Sequence, residues 1–312
     1  VDGNSIAVGS PSYAKDETGS GASNINGAGA VFVFDKIGGN WVQRKMLLSR
    51  ERGINNIGDG LGNSVSICGN LVVAGASGVD FDANGGNRME ASGAAFIFER
   101  SGSNWTQVQK IVAGDRAAYD DFGGSVAISG DNVIIGAWQK KETTDPNSRP
   151  HTGNAYIFSR RAAPNRVRPD GGVILTPEVD GKWRQVLKIN PDDRRPDDYL
   201  GWSVSISGDY AIVSARKQDT DSSDNLIHDG GAIYVFYQDK RGNWSQTGKL
   251  AAFDRSQLDN LGYSVAISGC DIIGGTIVDQ EDDKDANALT SAGSAYIFSA
   301  ADCQNIFRCS SE

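Results

Sequence analysis

Acidic side chains cluster in three short segments of the chain, at spacings that suit binding of a hard cation. The candidate ligands are Asp80, Asp82 and Asn84 in VDFDANGG, Asp219, Asp221 and Asp224 in QDTDSSDN, and Asp279, Glu281, Asp283 and Asp285 in VDQEDDKDAN. Oxygen atoms at alternate positions of a loop are the arrangement that calcium needs. The pattern predicts low-affinity structural calcium in these loops, and solvated polar loops are the alternative.

Catalytic chemistry is not predicted. The chain has two histidines, His151 and His228, which lie in different segments. It contains no Gly-x-Ser-x-Gly turn, no His-Glu-x-x-His motif and no glycine-rich phosphate loop. We therefore expect a protein that is not an enzyme.

Two Asn-x-Ser/Thr sequons, at Asn104 and Asn243, predict glycans if the protein is secreted from a eukaryotic cell. Each sequon contains a tryptophan that recurs along the chain, so a chance match is the alternative. The four cysteines are Cys68, Cys270, Cys303 and Cys309. Cys303 and Cys309 lie close together and predict a local disulfide in the tail, whereas Cys68 and Cys270 are interpreted as buried free thiols.

The overall charge is acidic, with 30 Lys and Arg against 39 Asp and Glu. This balance argues against nucleic acid as the main partner. No apolar run approaches the roughly 18 residues that a membrane span needs. One segment, 159–183, is locally basic through Arg160, Arg161, Arg166 and Arg168, and it is either a partner-contact surface or a tolerated surface excursion.

Four kinds of short segment recur in the same order along the chain. The first kind is LGNSVSIC (61–68), FGGSVAIS (122–129), LGWSVSIS (200–207) and LGYSVAIS (261–268). The second is LVVAGA from Leu71, VIIGA from Val133, AIVSA from Ala211 and IIGG from Ile272. The third is GAVFVF from Gly29, GAAFIF from Gly93, GNAYIF from Gly153, GAIYVF from Gly231 and GSAYIF from Gly293. The fourth is marked by Trp41, Trp105, Trp183 and Trp244, each followed two residues later by Gln.

These segments predict an all-β fold. They are short, rich in Val, Ile, Tyr and Phe, and bounded by turn residues, which is typical of strands. Small residues predominate in the first segment and Trp marks the fourth, as wedge-shaped blades require when the first strand is innermost. We therefore predict a β-propeller of four-stranded antiparallel blades, with a β-solenoid as the alternative. Five repeats are visible, of which the first lacks its opening strand and the last its Trp strand.

An Asp-Arg pair also recurs before the first segment, as Asp115-Arg116, Asp193-Arg194 and Asp254-Arg255, with further Asp residues after it. Because the feature repeats from blade to blade, we predict an architectural role, with Asp binding loop amides and Arg joining neighbouring blades.

The pairing of Phe-Gly or Leu-Gly before the first strand with Gly-Ala at the end of the second resembles FG-GAP repeats, the blades of integrin α-subunit propellers. FGGSVAISGDNVIIGA (122–137) is a close match. The resemblance implies a propeller over nearly the whole chain. It does not carry over the integrin calcium loop, because Ser-Gly-Asp turns replace that loop here and are too short to wrap a calcium ion.

The sequence thus predicts one propeller domain, 1–312, with repeats at about 1–60, 61–121, 122–199, 200–260 and 261–312, and upstream sequence is expected. We expect a secreted or cell-surface binding, adhesion or scaffold module that contacts a protein or a glycan, or self-assembles. One alternative is a lectin with repeated loop sites, and another is an accessory domain of a larger secreted enzyme. Structural calcium is the one cofactor considered.

Overall fold

The structure is a computed structural model. It describes residues 1–15, 25–51, 58–140, 151–160, 166–167, 173–174, 180–220, 226–278 and 292–299. Within this part of the chain the regular secondary structure is entirely β-strand, as predicted.

Twenty strands follow one another in the described part of the chain. They are β1 (Ser5–Ser10), β2 (Ala30–Ile37), β3 (Asn40–Leu47), β4 (Ser64–Cys68), β5 (Leu71–Ala76), β6 (Ala94–Ser101), β7 (Asn104–Ile111), β8 (Ser125–Ser129), β9 (Asn132–Ala137), β10 (Asn154–Ser159), β11 (Arg166–Val167), β12 (Val173–Ile174), β13 (Arg184–Ile189), β14 (Leu200–Ser207), β15 (Tyr210–Ala215), β16 (Ala232–Gln238), β17 (Trp244–Leu250), β18 (Ser264–Ser268), β19 (Asp271–Gly275) and β20 (Ala295–Ser299).

Eighteen of these strands form five antiparallel sheets, which are the blades of a propeller. Blade 1 is β1-β2-β3, blade 2 is β4-β5-β6-β7, blade 3 is β8-β9-β10-β13, blade 4 is β14-β15-β16-β17, and blade 5 is β18-β19-β20. Among the described residues blade 1 has no opening strand and blade 5 no Trp strand, as the repeats predict. The hairpin β11-β12 lies within the predicted insertion of blade 3.

The first strands lie innermost and contact one another from blade to blade, β4 with β8, β8 with β14, and β14 with β18. The predicted strand order within a blade is therefore confirmed. Small residues belong on these strands because blades converge there.

Third strands explain how both faces of a blade are buried. Aliphatic and aromatic residues alternate along them, and side chains alternate between faces of a sheet. The aliphatic residues packing toward the next blade are Val31 and Val33, Ala95 and Ile97, Ala155 and Ile157, and Ile233 and Val235. The aromatic residues that meet them from that next blade are Phe96 and Phe98, Tyr156 and Phe158, Tyr234 and Phe236, and Tyr296 and Phe298. Each interface between blades is thus an aliphatic face against an aromatic face.

The recurring glycines are required by close contact between blades. A Cβ atom on Gly75, near the end of β5, would lie 1.9 Å from the carbonyl oxygen of Gly123, which precedes β8. The same contact recurs one blade later, where a Cβ on Gly136 would lie 2.1 Å from the oxygen of Gly201. The two glycines of the repeat motif therefore meet across the blade interface, and neither tolerates a side chain there.

Inner-strand hydroxyls bridge the blades by hydrogen bonds, a role that adds to the packing expected of them. Ser205 Oγ accepts from the Ile267 amide at 3.2 Å, and Ser66 Oγ from the Ile128 amide at 3.2 Å. At the ends of the inner strands, Ser207 Oγ accepts at 2.9 Å from the amide of Gly269. We call the first-strand serines, Cys68 and the amides they bind the inner ring.

The recurring Asp residues hold the linkers between blades, as predicted. Asp120, Asp198 and Asp259 each accept from the amide three residues earlier, at 2.5–2.7 Å. The arginine of the pair also contacts the preceding blade, since Arg116 donates to the Asp80 carbonyl at 2.6 Å.

The interpretation of Cys68 and Cys270 as free thiols is wrong. Both residues are disulfide-bonded, and no described cysteine is free. Cys68 occupies the inner-ring position that Ser129 and Ser207 hold in blades 3 and 4, and its Sγ accepts from the Gly130 amide at 3.3 Å. The predicted pair Cys303–Cys309 lies outside the described residues.

Candidate functional site: an aromatic–arginine cluster on the upper face

The upper face is the side of the propeller on which first strands begin and second strands end. Six side chains from blades 3, 4 and 5 meet there, and none belongs to the repeat consensus. We call them the aromatic–arginine cluster: Trp138, His151, Tyr199, Trp202, Arg216 and Tyr263.

The members lie near the places where strands begin or end. Trp138 and Arg216 occupy the same repeat position, directly after the second strands β9 and β15. Trp202 and Tyr263 share a repeat position at the beginning of the inner strands. Since inner strands are neighbours around the ring, these paired positions come together across two blade interfaces.

A missing side chain makes room for the cluster. The position equivalent to Trp202 in blade 3 is Gly124, and a Cβ there would lie 2.9 Å from the Trp138 ring. Trp138 therefore occupies space that a side chain at 124 would fill, and its ring meets the Trp202 ring edge-on at 4.9 Å.

Arg216 is stacked among three rings. Its guanidinium carbon lies 4.1 Å from the ring centroid of Trp202, 4.9 Å from that of Tyr199 and 5.9 Å from that of Tyr263. Its Nη1 donates to Asn260 Oδ1 at 3.0 Å. These contacts fix the guanidinium in one orientation, by cation–π attraction and one hydrogen bond.

The cluster combines desolvated charge with exposed ring surface. Burial lowers the pKa of Arg216, although the nearby Tyr199 and Tyr263 act in the opposite direction. Arg216 Nε and His151 Nδ1 are buried and have no hydrogen-bond partner among the described residues. Tyr263 is 40% exposed, and Trp138 and Trp202 are half-buried. Rigid rings around a fixed cation, partly open to solvent, suit recognition of a ligand better than proton transfer.

The carboxyl group of Asp121 lies at the edge of the cluster. Its Oδ2 accepts from Gln139 Nε2, and burial raises its pKa. Asp121, Gln139 and Asn260 place planar polar groups beside the rings, which is the usual composition of a site that fixes a ligand's orientation.

The cluster was not assembled from the sequence, although Trp138 and Trp202 occupy positions at which the repeats differ. A signal was present: aligning the repeats at these two positions gives Ser77, Trp138, Arg216 and Ile277 at one, and Asn63, Gly124, Trp202 and Tyr263 at the other. Positions that vary this strongly within a regular repeat mark a surface that does not serve the ring itself.

The first predicted calcium loop is organised by its own amides. Asp82 Oδ1 accepts from the amides of Asn84 and Gly86 at 2.9 Å, and these bonds, led by the one from Gly86, lower the pKa of Asp82. Asp80 is buried, accepts from the Ala91 amide at 2.8 Å and pairs with Arg88 at 2.9 Å. The two carboxylates thus have protein partners, and calcium binding here stays a prediction.

In the second predicted loop the structure groups Asp219 with two residues that the sequence did not assign to a metal. Asp219, His228 and Asp229 place ligand atoms within 4.8 Å of one another. Asp219 Oδ1 lies 3.2 Å from His228 Nδ1, and Lys217 pairs with Asp229 at 3.2 Å. Asp221 and Asp224 lie outside the described residues, as do Asp279, Glu281, Asp283 and Asp285 of the third loop.

Arg160 of the basic segment contacts its own propeller. Its Nε donates to Asp131 Oδ1 at 2.5 Å, and its guanidinium lies 5.6 Å from the Trp183 ring centroid. Arg166 lies in β11, and Arg161 and Arg168 are outside the described residues. The predicted glycan acceptors Asn104 and Asn243 are exposed at outer-strand turns, and glycosylation stays a prediction.

Strands arranged in this order around an inner ring define the class of protein as a β-propeller. Comparison with protein families shows that residues 105–158, 183–236 and 244–298, just over half of the chain, match the FG-GAP repeat. The chain belongs to the FG-GAP repeat family. Each match begins at an outer-strand tryptophan and ends in the third strand of the next blade, so the family's repeat is offset by one strand from the blade.

Comparison with curated proteins gives no match. Among solved structures, the chain is similar to a crystal structure of a protein from Lactobacillus plantarum, with a TM-score of 0.41, 12% identity, and coverage of 96% of this chain and 68% of that one. A likeness at this level carries no argument about function. Across the described part of the chain, we find no helix with the length and apolar character of a membrane span.

Proposed function

We propose that this FG-GAP propeller is a non-catalytic binding or adhesion module of the extracellular space. Its contact surface for a protein or glycan partner is the aromatic–arginine cluster. The observation that carries the proposal is the departure from the repeat at this one place, where Arg216 is fixed among three rings. Tryptophan, tyrosine and arginine are the residues most enriched at the energetic centres of binding surfaces.

One further feature supports an extracellular role, and another limits the kind of partner. Cys68 and Cys270 are disulfide-bonded, and disulfides persist mainly in oxidising compartments. The acidic overall charge leaves nucleic acid an unfavourable partner.

A lectin is the second candidate, because exposed aromatic faces beside Asp121, Gln139 and Asn260 suit the apolar face and hydroxyl groups of a sugar ring. The cluster occurs at one place in the described ring. We therefore expect one sugar site per chain, in contrast to the repeated equivalent sites considered from the sequence.

The test is binding of the intact chain to a glycan array and to a panel of extracellular matrix proteins, followed by calorimetry on any hit. We expect a stoichiometry near one and a loss of affinity of about 30-fold or more in Trp202→Ala, since hot-spot truncation costs at least about 2 kcal/mol.

The matched control is Trp244→Ala, which removes a half-buried tryptophan on the outer strand of blade 4. It should bind as the unchanged protein does. Equal binding by Trp202→Ala and the unchanged protein would contradict the proposed site, and several sites per chain would favour the repeated-loop lectin.

A further inference from the structure

The guanidinium of Arg216 has hydrogen-bond donors that the described part of the protein leaves unused. Nη1 donates to the amide oxygen of Asn260, a neutral acceptor, and Nε is buried without a partner among the described residues. Nε and Nη2 together form a planar fork whose two N–H groups match the two oxygen atoms of a carboxylate. Arg216 is thus held in place with a fork of donors available for an anionic group.

The acidic side chains around the cluster bind other partners. Asp229 pairs with Lys217 at 3.2 Å, Asp197 accepts from a backbone amide at 3.1 Å, and Asp121 accepts from a side-chain amide. No carboxylate in the described part of the chain forms an ion pair with Arg216. Because Arg216 is half-buried, an opposite charge placed against it is screened less by water than it would be at an exposed arginine.

The rings restrict which carboxylate suits Arg216. The guanidinium carbon lies 4.1 Å from the Trp202 ring centroid and 4.9 Å from that of Tyr199, so a group that binds Arg216 also contacts a ring. In a uronic acid the carboxylate is attached directly to a sugar ring, and the C–H bonds of that ring form an apolar face that suits an aromatic surface. The side chain of an acidic peptide brings only methylene groups. The geometry therefore favours an acidic sugar over an acidic peptide.

We propose that the aromatic–arginine cluster binds an acidic polysaccharide through one uronic acid residue. The carboxylate lies on the guanidinium of Arg216, and the apolar face of the sugar lies on the partly exposed rings of Trp202 and Tyr263. This inference rests on the proposed function, because it names the class of ligand for the same site. The experiment below therefore separates failure of the site from failure of the ligand class.

The experiment is calorimetric titration of the intact chain with oligosaccharides of galacturonic, glucuronic and mannuronic acid, each beside its carboxyl-reduced form of the same length. Reduction replaces the carboxylate by a hydroxymethyl group and leaves the sugar ring unchanged. We expect at least one acidic series to bind with a stoichiometry near one, and its reduced form to bind about 30-fold more weakly, since the hydrogen bonds to a charged group are lost. This comparison uses the unchanged protein, so it does not depend on how a variant folds.

Two variants assign the effect to Arg216. Arg216→Gln should bind the acidic oligosaccharide about 30-fold more weakly and the reduced form as the unchanged protein does. Arg195→Gln is the matched control, because Arg195 is an exposed arginine in the linker that leads to Tyr199 but does not belong to the cluster. It should bind the acidic oligosaccharide normally.

The outcomes separate the ligand class from the site. If Trp202→Ala binds the acidic oligosaccharide as the unchanged protein does, the cluster is not the binding surface, and the proposed function fails together with this inference. If Trp202→Ala weakens binding but carboxyl reduction and Arg216→Gln do not, the site stands and the uronic acid is overturned. Failure of all three acidic series to bind, or equal binding of a glutamate-rich peptide, would also overturn the inference.

Discussion

The inner ring and the aromatic–arginine cluster lie close together but obey different constraints. In the inner ring the same contact recurs from blade to blade: Ser207 binds the Gly269 amide as Ser129 binds that of Gly208. In the cluster, equivalent positions carry Trp138 in one blade and Arg216 in the next. The comparison teaches that repetition marks residues that close the ring, whereas variation at one place on a repeated frame marks residues free to recognise a partner.

The largest expected effect concerns the glycine contact beside the inner ring. In Gly136→Ala the new Cβ would lie 2.1 Å from the Gly201 oxygen and 2.3 Å from Ser125 Oγ, and backbone on the far side limits relaxation. We expect a loss of about 4 kcal/mol in the free energy of unfolding, measured by urea denaturation.

Gly102→Ala is its control. Gly102 has a positive φ, +60°, which Gly136 lacks, but nothing lies within 4 Å of its added Cβ, so we expect only a backbone cost of about 1–2 kcal/mol. Equal losses of unfolding free energy in the two variants would show that the contact between blades is not what restricts position 136 to glycine.

The next largest effect is expected at Cys68. Cys68→Ser removes a disulfide but supplies the hydroxyl that serines provide at the same position of blades 3 and 4. The bond to the Gly130 amide should therefore persist, and we expect about 3 kcal/mol of destabilisation from loss of the disulfide alone.

Peptide mapping of the oxidised protein by mass spectrometry sharpens this prediction. A Cys68–Cys270 peptide would leave Cys303 and Cys309 to pair as the sequence predicts, whereas a link from Cys68 to either tail cysteine would exclude that pairing. If reductant destabilises Cys68→Ser as much as the unchanged protein, the Cys68 disulfide is not a main source of stability.

The fold was predictable from sequence because each repeat shows the residue pattern by which one blade packs against the next. Alternation such as Phe96-Ile97-Phe98 indicates two buried faces, and paired glycines indicate a close contact. The inner-ring hydrogen bonds were missed because a serine among small residues is equally consistent with packing. The cluster was not foreseen, since the meeting of Trp138 and Trp202 with Arg216 depends on how neighbouring blades align.

Asp198 lies directly before Tyr199 of the aromatic–arginine cluster. It makes the free energy of unfolding depend on pH. Burial raises its pKa to about 7, against the hydrogen bond from the Arg195 amide, which acts to lower it. The folded state therefore holds a proton that an Asp side chain in the unfolded chain, with its ordinary pKa of 3.8, releases. Asp198 thus favours folding at low pH, and this contribution decreases as pH rises through the window from about 4 to 7.

Asp198→Asn should remove that contribution while keeping an acceptor for the Arg195 amide. At pH 8 we expect the variant to be more stable than the unchanged protein by up to about 4 kcal/mol, since the pKa differs by about 3 units between the two states, with the difference vanishing near pH 4. Denaturation curves recorded for both proteins across this pH range measure the difference. A variant that keeps the full pH slope of the unchanged protein would assign the slope to other groups.

The smallest expected effect is that of one inner-ring hydroxyl. Ser205→Ala leaves the Ile267 amide without its acceptor and should cost about 1 kcal/mol of unfolding free energy. Ser268→Ala, at an exposed inner-strand position of blade 5, is the control and should cost less than about 0.5 kcal/mol. Ser205→Ala should leave ligand affinity unchanged, because the hydroxyl serves only the neighbouring blade. Should this variant weaken binding as much as Trp202→Ala does, recognition and ring closure would share residues, and the separation between the inner ring and the cluster would be lost.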